Sequence, residues 1–323
     1  MFFHGVIVGI FKLEPKDNAW HNQIFPKYIE WWYLDAMTHS NDFFSGSFAL
    51  WGNLHRPESC VVRSDFVFTF SDGRVIDFGK KINLANFHAS TDGCCVQMEY
   101  DSFQNLGNRF LLHLEQGREA ILDISLTPEC SGFGYYHEFD SGKGEYFYWI
   151  VPVPKGMITG QIQYLGQIYT FKGVGYHDHN WASINLSEKI NAWIWGRYLA
   201  VDMGIIFTSV ESNQETLFQG MAIIERGVTA NEYLYLKFDQ KKPILRIENT
   251  PVGWSLLITE PGVRLEMDIV KKILVFERGN TRDYQRFMSN SRGWLSIGGV
   301  EYKLNGSLIH EFKSLSPKEW GKS

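Results

Sequence analysis

At 323 residues the chain is longer than one hydrophobic core usually spans, so two domains are expected. A formal net charge of -5, with no face on which Lys and Arg recur at a regular period, argues against a nucleic-acid or anionic-membrane surface. Aromatic residues make up 15% of the chain, with 11 tryptophans, and 30 glycines accompany them, a mixture that favours β structure with tight turns.

The opening stretch MFFHGVIVGIF is apolar. It lacks the basic flank and small-residue cleavage site of a signal peptide, is too short to span a bilayer, and reads as a strand. Hairpin signals then recur along the chain. FVFTFSDGRVIDF turns at Asp72 and Gly73, NRFLLHLEQGREAILDISL at Gln116 and Gly117, QIQYLGQIYTF at Leu165 and Gly166, and WSLLITEPGVRLEMDIV at Pro261 and Gly262. Leu122, Ile124 and Leu126 alternate with Asp123 and Ser125, and Leu265, Met267 and Ile269 with Arg264, Glu266 and Asp268. That period of two gives each strand one buried and one wet face. Short antiparallel strands without a βαβ pattern imply an all-β chain of sandwiches or barrels. The four cysteines, Cys60, Cys94, Cys95 and Cys130, show no C-x-x-C spacing and fit a reduced cytoplasmic protein better than a disulfide scaffold.

Two segments echo one another. EWWYLDAMTHSNDFFSGSFALW from Glu30 and AWIWGRYLAVDMGIIFTSVESN from Ala192 each begin with a tryptophan-rich strand, reach an aspartate, Asp35 or Asp202, and continue as an apolar strand. Between them SINLSEKIN is polar enough for a linker or short helix, which puts the expected domains at 1–182 and 183–323. Immediately before that junction stands GVGYHDHNWA, Gly173 to Ala182, with more polar chemistry than a surface turn requires.

If this motif is extended, His177, His179 and Trp181 share one face, and Tyr176, Asp178 and Asn180 the other. Three readings follow. The two imidazoles can ligate a metal, with His137 and Glu138 of YHEF completing the set. Asp178 and Asn180 can cap backbone groups while the histidines satisfy buried partners. Or a carboxyl group among aromatic rings keeps its proton and acts as a general acid, while Trp and Tyr faces stabilise a developing cation. The aromatic candidates are Trp31, Trp32, Tyr33, Trp181, Trp193, Trp195 and Tyr198. The carboxylates are Glu30, Asp35, Asp178 and Asp202, with Glu30 able to pair with an arginine such as Arg197.

EWWYLDA at Glu30 to Ala36, GVGYHDHNW at Gly173 to Trp181 and WIWGRYLAVD at Trp193 to Asp202 resemble, in order and spacing, the carotenoid 1,2-hydratase (hydroxyneurosporene synthase) family and its AttH-like relatives. That superfamily includes kievitone hydratase and the lipocalin-like Diels-Alderases. The resemblance implies two lipocalin-like antiparallel β-barrel domains, a hydrophobic pocket and no organic cofactor. It also implies that His179, Trp181 and Asp202 carry activity, with Tyr198 the nearest tyrosine. Ala182 stands where the family has glycine, and Ala200 where the hydratases have tyrosine.

The expectation is an enzyme acting on an isoprenoid or polyene, with no metal assigned. Asp202, or Asp178 in its place, protonates an isolated double bond, and water held by His179 or an internal alkene captures the cation. Tyr198 belongs with these catalytic candidates, while Glu30, Trp31, Trp32, Tyr33, Tyr176, His177 and Trp195 line the substrate. A peripheral membrane contact would let such a protein collect its substrate. Two alternatives stand beside it: a pericyclic catalyst that folds a polyene while Tyr198 or Glu30 polarises a carbonyl, and a carrier that leaves its hydrophobic ligand unchanged.

Overall fold

The computed structural model describes residues 8–23, 25–140, 142–200, 203–212, 216–225, 233–239, 245–250, 253–260, 262–278 and 284–314. The chain divides into two compact units, Met1–Asn185 and Leu186–Ser323. Among the described residues each is built on one antiparallel sheet, of 15 strands in the first unit and nine in the second.

In the first unit the tryptophan-rich segment forms the strand Tyr28–Thr38 and the motif forms the end of Gln167–Ala182. These two strands pair directly, and Phe43–Gly52 and Glu145–Tyr164 flank them on either side. The opening stretch supplies Val8–Lys12, which pairs with Phe133–Asp140. The predicted turn at Leu165 and Gly166 is a two-residue connection with both residues at positive φ, 50° and 79°, a twist that matches the flanking strands. Along Glu145–Tyr164 the register against the motif strand slips between Ile150 and Val153 and again between Val153 and Gly156. Pro152 and Pro154 sit within those slips, where a missing N–H removes no ladder bond, and the resulting bulges bend the long strand so that the sheet curls.

The alternation read from the sequence sets the inside of the sheet. Leu122, Ile124 and Leu126 are buried in a core that also holds Trp32, Phe48, Phe66, Phe103 and Trp181. In the second unit Leu265, Met267 and Ile269 join Ile194, Tyr198, Ile205 and Phe207 in a separate core, while Arg264, Glu266 and Asp268 face water. The polar SINLSEKIN segment contains a short helix, Leu186–Lys189. The cysteines are unpaired, and among the described residues no helix is long and apolar enough to cross a membrane.

Gly173, which opens the motif, is demanded by close approach. A Cβ there would lie 2.0 Å from the Met37 carbonyl oxygen of the neighbouring strand, and no side-chain rotation can relieve a backbone clash. Gly173→Ala is expected to lower stability by about 1–3 kcal/mol in urea unfolding. Gly93→Ala, whose methyl would meet nothing within 4 Å, should stay within about 0.5 kcal/mol of the parent.

Candidate functional site

The register of the motif strand against Tyr28–Thr38 sets Trp181 opposite Glu30, His179 opposite Trp32 and His177 opposite Leu34. Directly opposed residues of antiparallel strands share a face, so these six look into the core of the first unit. The other face collects Tyr176 opposite Asp35, Asp178 opposite Tyr33, and Asn180 opposite Trp31. The motif therefore serves two environments at once.

On the core-facing side the centre is Glu30, which has no exposed surface. Its Oε1 accepts from the His21 backbone N–H at 3.1 Å, from His21 Nδ1 at 2.9 Å and from His179 Nε2 at 2.9 Å, while Oε2 accepts from the Tyr28 hydroxyl at 2.5 Å. Burial opposes ionisation of this carboxyl, but the hydrogen bonds from His179 and His21 outweigh it and hold the group below the usual carboxylate range. As an ionised acceptor it requires both ring nitrogens facing it to carry hydrogen. Burial also pushes the His179 ring down to about 4, partly offset by Glu30, so the ring is neutral with its hydrogen on Nε2. Its Nδ1 is then a buried lone pair, with no hydrogen-bond partner among the described residues. Burial and the adjacent Glu30 push the Tyr28 phenol far up, and it remains a donor.

Aromatic stacking locks these rings. His179 lies flat on Trp32, with centroids 4.4 Å apart and an interplanar angle of 17°. Trp181 is sandwiched between His21 at 3.5 Å and Tyr148 at 4.5 Å, at 15° and 6°. Both faces of Trp181 are thereby covered by rings of the protein itself. His21 is the partly exposed member, its side chain retaining 19% of its surface, while on the far face of Trp181 Tyr148 contacts half-buried Tyr136 and Tyr146, and Tyr146 contacts Phe25.

His177 does different work. Its Nδ1 donates to the Tyr33 carbonyl at 2.9 Å, which leaves Nε2 to accept from the Asn18 side-chain amide at 2.9 Å, and the ring packs against Phe103 and Phe110. It ties the Pro15–Asn18 turn to the sheet and has no nitrogen left for a ligand. Nor does the structure bring His137 to the motif's histidines, as the metal alternative would need. His137 opposes Phe147, which opposes Ala182, so His137 lies on the Asp178 face, away from His179. Among the described residues the carboxylate and imidazole groups that converge as a possible ligand set are His21, Glu30 and His179, whose ligand atoms all lie within 4.8 Å of one another.

On the opposite face Asp178 accepts from the Tyr176 hydroxyl at 2.8 Å, the Asn180 amide at 2.8 Å and the Trp149 indole at 3.3 Å. Both of its oxygens are thus engaged by neighbouring donors. Tyr33 donates to Asp35 at 3.0 Å, and Trp31 stacks on Phe147. Glu30 takes histidine partners instead of Arg197, which sits buried in the strand Ala192–Leu199 of the second unit. Trp195 is buried in that same strand, as is Tyr198, whose phenolic oxygen accepts from the Asn305 backbone N–H at 3.0 Å. Asp202 lies outside the described residues.

Sequence reading missed His21, Tyr28, Asn18 and Tyr148. His21 follows a tryptophan in a segment with neither strand nor helix period, so only its contact with Glu30, nine positions on, marks it.

No protein-family model matches the chain. It is 27% identical over 224 residues to a hydroxyneurosporene dehydrogenase of Chlorobaculum tepidum, a match that takes in 59% of this chain and 58% of that relative. Among solved structures it is similar to an AttH protein from Nitrosomonas europaea, with TM-score 0.63 and 15% identity over 95% of this chain and 98% of the other. Kievitone hydratase from Nectria haematococca gives 0.56 and 10% over 96% and 94%, and CghA solved with Sch210972 gives 0.53 and 14% over 97% and 100%.

Two outcomes test the division of labour in the motif. His177→Phe keeps a ring but deletes both hydrogen bonds, and is expected to cost about 1–3 kcal/mol in chemical unfolding. Burial holds His137 down at about 4 against an ordinary 6.5, so on acidification the unfolded chain takes up its proton first. The stability it contributes is whole above pH 6.5 and is lost as pH falls toward 4. A plot of Tm against pH should be flatter across that window in His137→Leu.

Proposed function

We propose that this chain, which has the all-β fold of the AttH-like lipocalin superfamily, adds water to an isolated carbon–carbon double bond of a hydrophobic isoprenoid or polyene, or closes a ring on it. One observation carries the reading: a partly exposed imidazole, His21, is clamped between a buried ionised carboxylate and one face of Trp181, whose other face carries the half-buried Tyr148. The likeness to a hydroxyneurosporene dehydrogenase and the fold shared with kievitone hydratase support it.

In this reading the substrate's apolar chain lies along Phe25, Tyr136, Tyr146 and Tyr148. A carboxylic acid delivers a proton to the less substituted alkene carbon, which leaves a tertiary cation on the other. Aromatic faces attract that cation by about 0.5–2 kcal/mol each. A water oxygen then bonds to the cationic carbon and gives up a proton to His21 Nε2, the nitrogen left free because Glu30 holds the hydrogen on Nδ1. In a cyclase an internal alkene takes the place of the water. Asp178 is the weaker choice of acid, because its oxygens are already engaged on the other face.

The test uses neurosporene dispersed in detergent, in deuterated and in oxygen-18 water. Hydration is expected to place one solvent deuterium and one labelled oxygen in the product. Asp202→Asn should retain binding without turnover, and His21→Ala should lower kcat by about a hundredfold or more, the share usual for a positioned base. A ring-closed product without solvent deuterium would instead favour pericyclic cyclisation. Recovery of the polyene unchanged would mark a carrier.

A further inference from the structure

We infer that His21, Glu30 and His179 form a binding site for a divalent transition-metal ion of the zinc class, held by His21 Nδ1, Glu30 Oε1 and His179 Nε2. This goes beyond the alkene chemistry proposed above and does not depend on it.

The ligand set is two imidazoles and one carboxylate from three separate places in the chain, a set that suits zinc and its first-row neighbours and leaves further positions open. All three donor atoms lie within 4.8 Å of one another, and both ring nitrogens point at the same oxygen from 2.9 Å. An ion taking the place of the two ring hydrogens between them would need only small shifts to reach metal–nitrogen distances of about 2.0–2.1 Å.

The surroundings answer the requirements of a metal better than those of a pair of hydrogen bonds. With hydrogen on Nε2, His179 presents a buried and unpartnered Nδ1, while the neighbouring Asp17 backbone favours a proton on this ring. Metal binding at Nε2 moves the hydrogen to Nδ1, toward that backbone, which is the outer-shell arrangement that orients ligating imidazoles. His21 undergoes the matching exchange, with Nδ1 taking the ion and Nε2, on its partly exposed side, taking the hydrogen. Each ring changes tautomer and neither changes charge, so no proton need leave the site. Tyr28 donates to Glu30 Oε2, which fixes the carboxylate and presents Oε1 alone to the ion. Stacking on Trp32 and Trp181 holds the two rings in plane. Because the metal-bound His21 carries hydrogen on Nε2, the ion and the base of the hydration reading exclude one another, and bound zinc would switch that chemistry off.

The experiment takes the full chain stripped with EDTA and titrates it with zinc by calorimetry and with cobalt(II) by visible absorption. One ion per chain is expected, with the intense d–d bands of four- or five-coordinate cobalt and a rise in Tm on zinc addition. Tyr28→Phe, which keeps every ligand but loosens the carboxylate, should weaken binding about 10–100-fold, and His21→Ala should weaken it further. Affinity is expected to be unchanged in His113→Asn, which removes a second, partly exposed histidine paired with Glu115 and Asp123. Absence of stoichiometric binding, parental affinity in His21→Ala, or loss of binding in His113→Asn would each overturn the proposal. Because the readouts need no substrate, failure here leaves the hydration reading standing. Failure of neurosporene turnover likewise leaves the metal site standing.

Discussion

Glu30 is an ionised carboxylate with no contact with water, and that constraint organises one whole side of the first unit. A charge in that position costs several kcal/mol unless donors surround it, and removing one donor leaves the penalty behind. Four donors meet it: the Tyr28 hydroxyl from its own strand, His179 from the partner strand, and the ring and backbone of His21 from the segment that precedes the sheet. The last two fix where the N-terminal segment lies. Once His21 is drawn to Glu30, it covers one face of Trp181, and Tyr148 covers the other. A buried charge thus specifies the position of a loop that has no regular structure to position it.

The strand period performs the second task. Successive side chains of the motif leave the sheet on opposite sides, so His179 and Asp178, adjacent in the chain, never share an environment. One face ends in a carboxylate between imidazoles, the other in a carboxylate among neutral donors. The glycines belong to the same design: Gly173 lets the neighbouring strand come close enough for the register that sets Trp181 against Glu30.

Local features were the legible ones. Turns at Leu165 and Gly166 and the alternation through Leu122, Ile124 and Leu126 depend on a few neighbouring residues, and the structure contains them as read. The split of the motif into a histidine face and an aspartate face was equally readable, since it needs only an extended backbone. Partner choice was not readable. Glu30 looked able to pair with Arg197 and instead meets His21 and His179. His137 looked able to join His179 and instead lies on the far face, because the register of two intervening ladders decides it.

What the sequence by itself determined, then, was everything governed by short range: strand period, turn chemistry, the all-β class, and a motif rich enough to point to a family of folds. Tertiary structure alone decided which of two equivalent-looking histidines is a structural latch and which faces the carboxylate. It also decided that His21, in a segment with no periodic signal, completes the group. The reason is physical: a side chain's face follows from its own strand, but its partner follows from strand register and long-range closure, and a buried charge selects among partners only after the chain has folded around it.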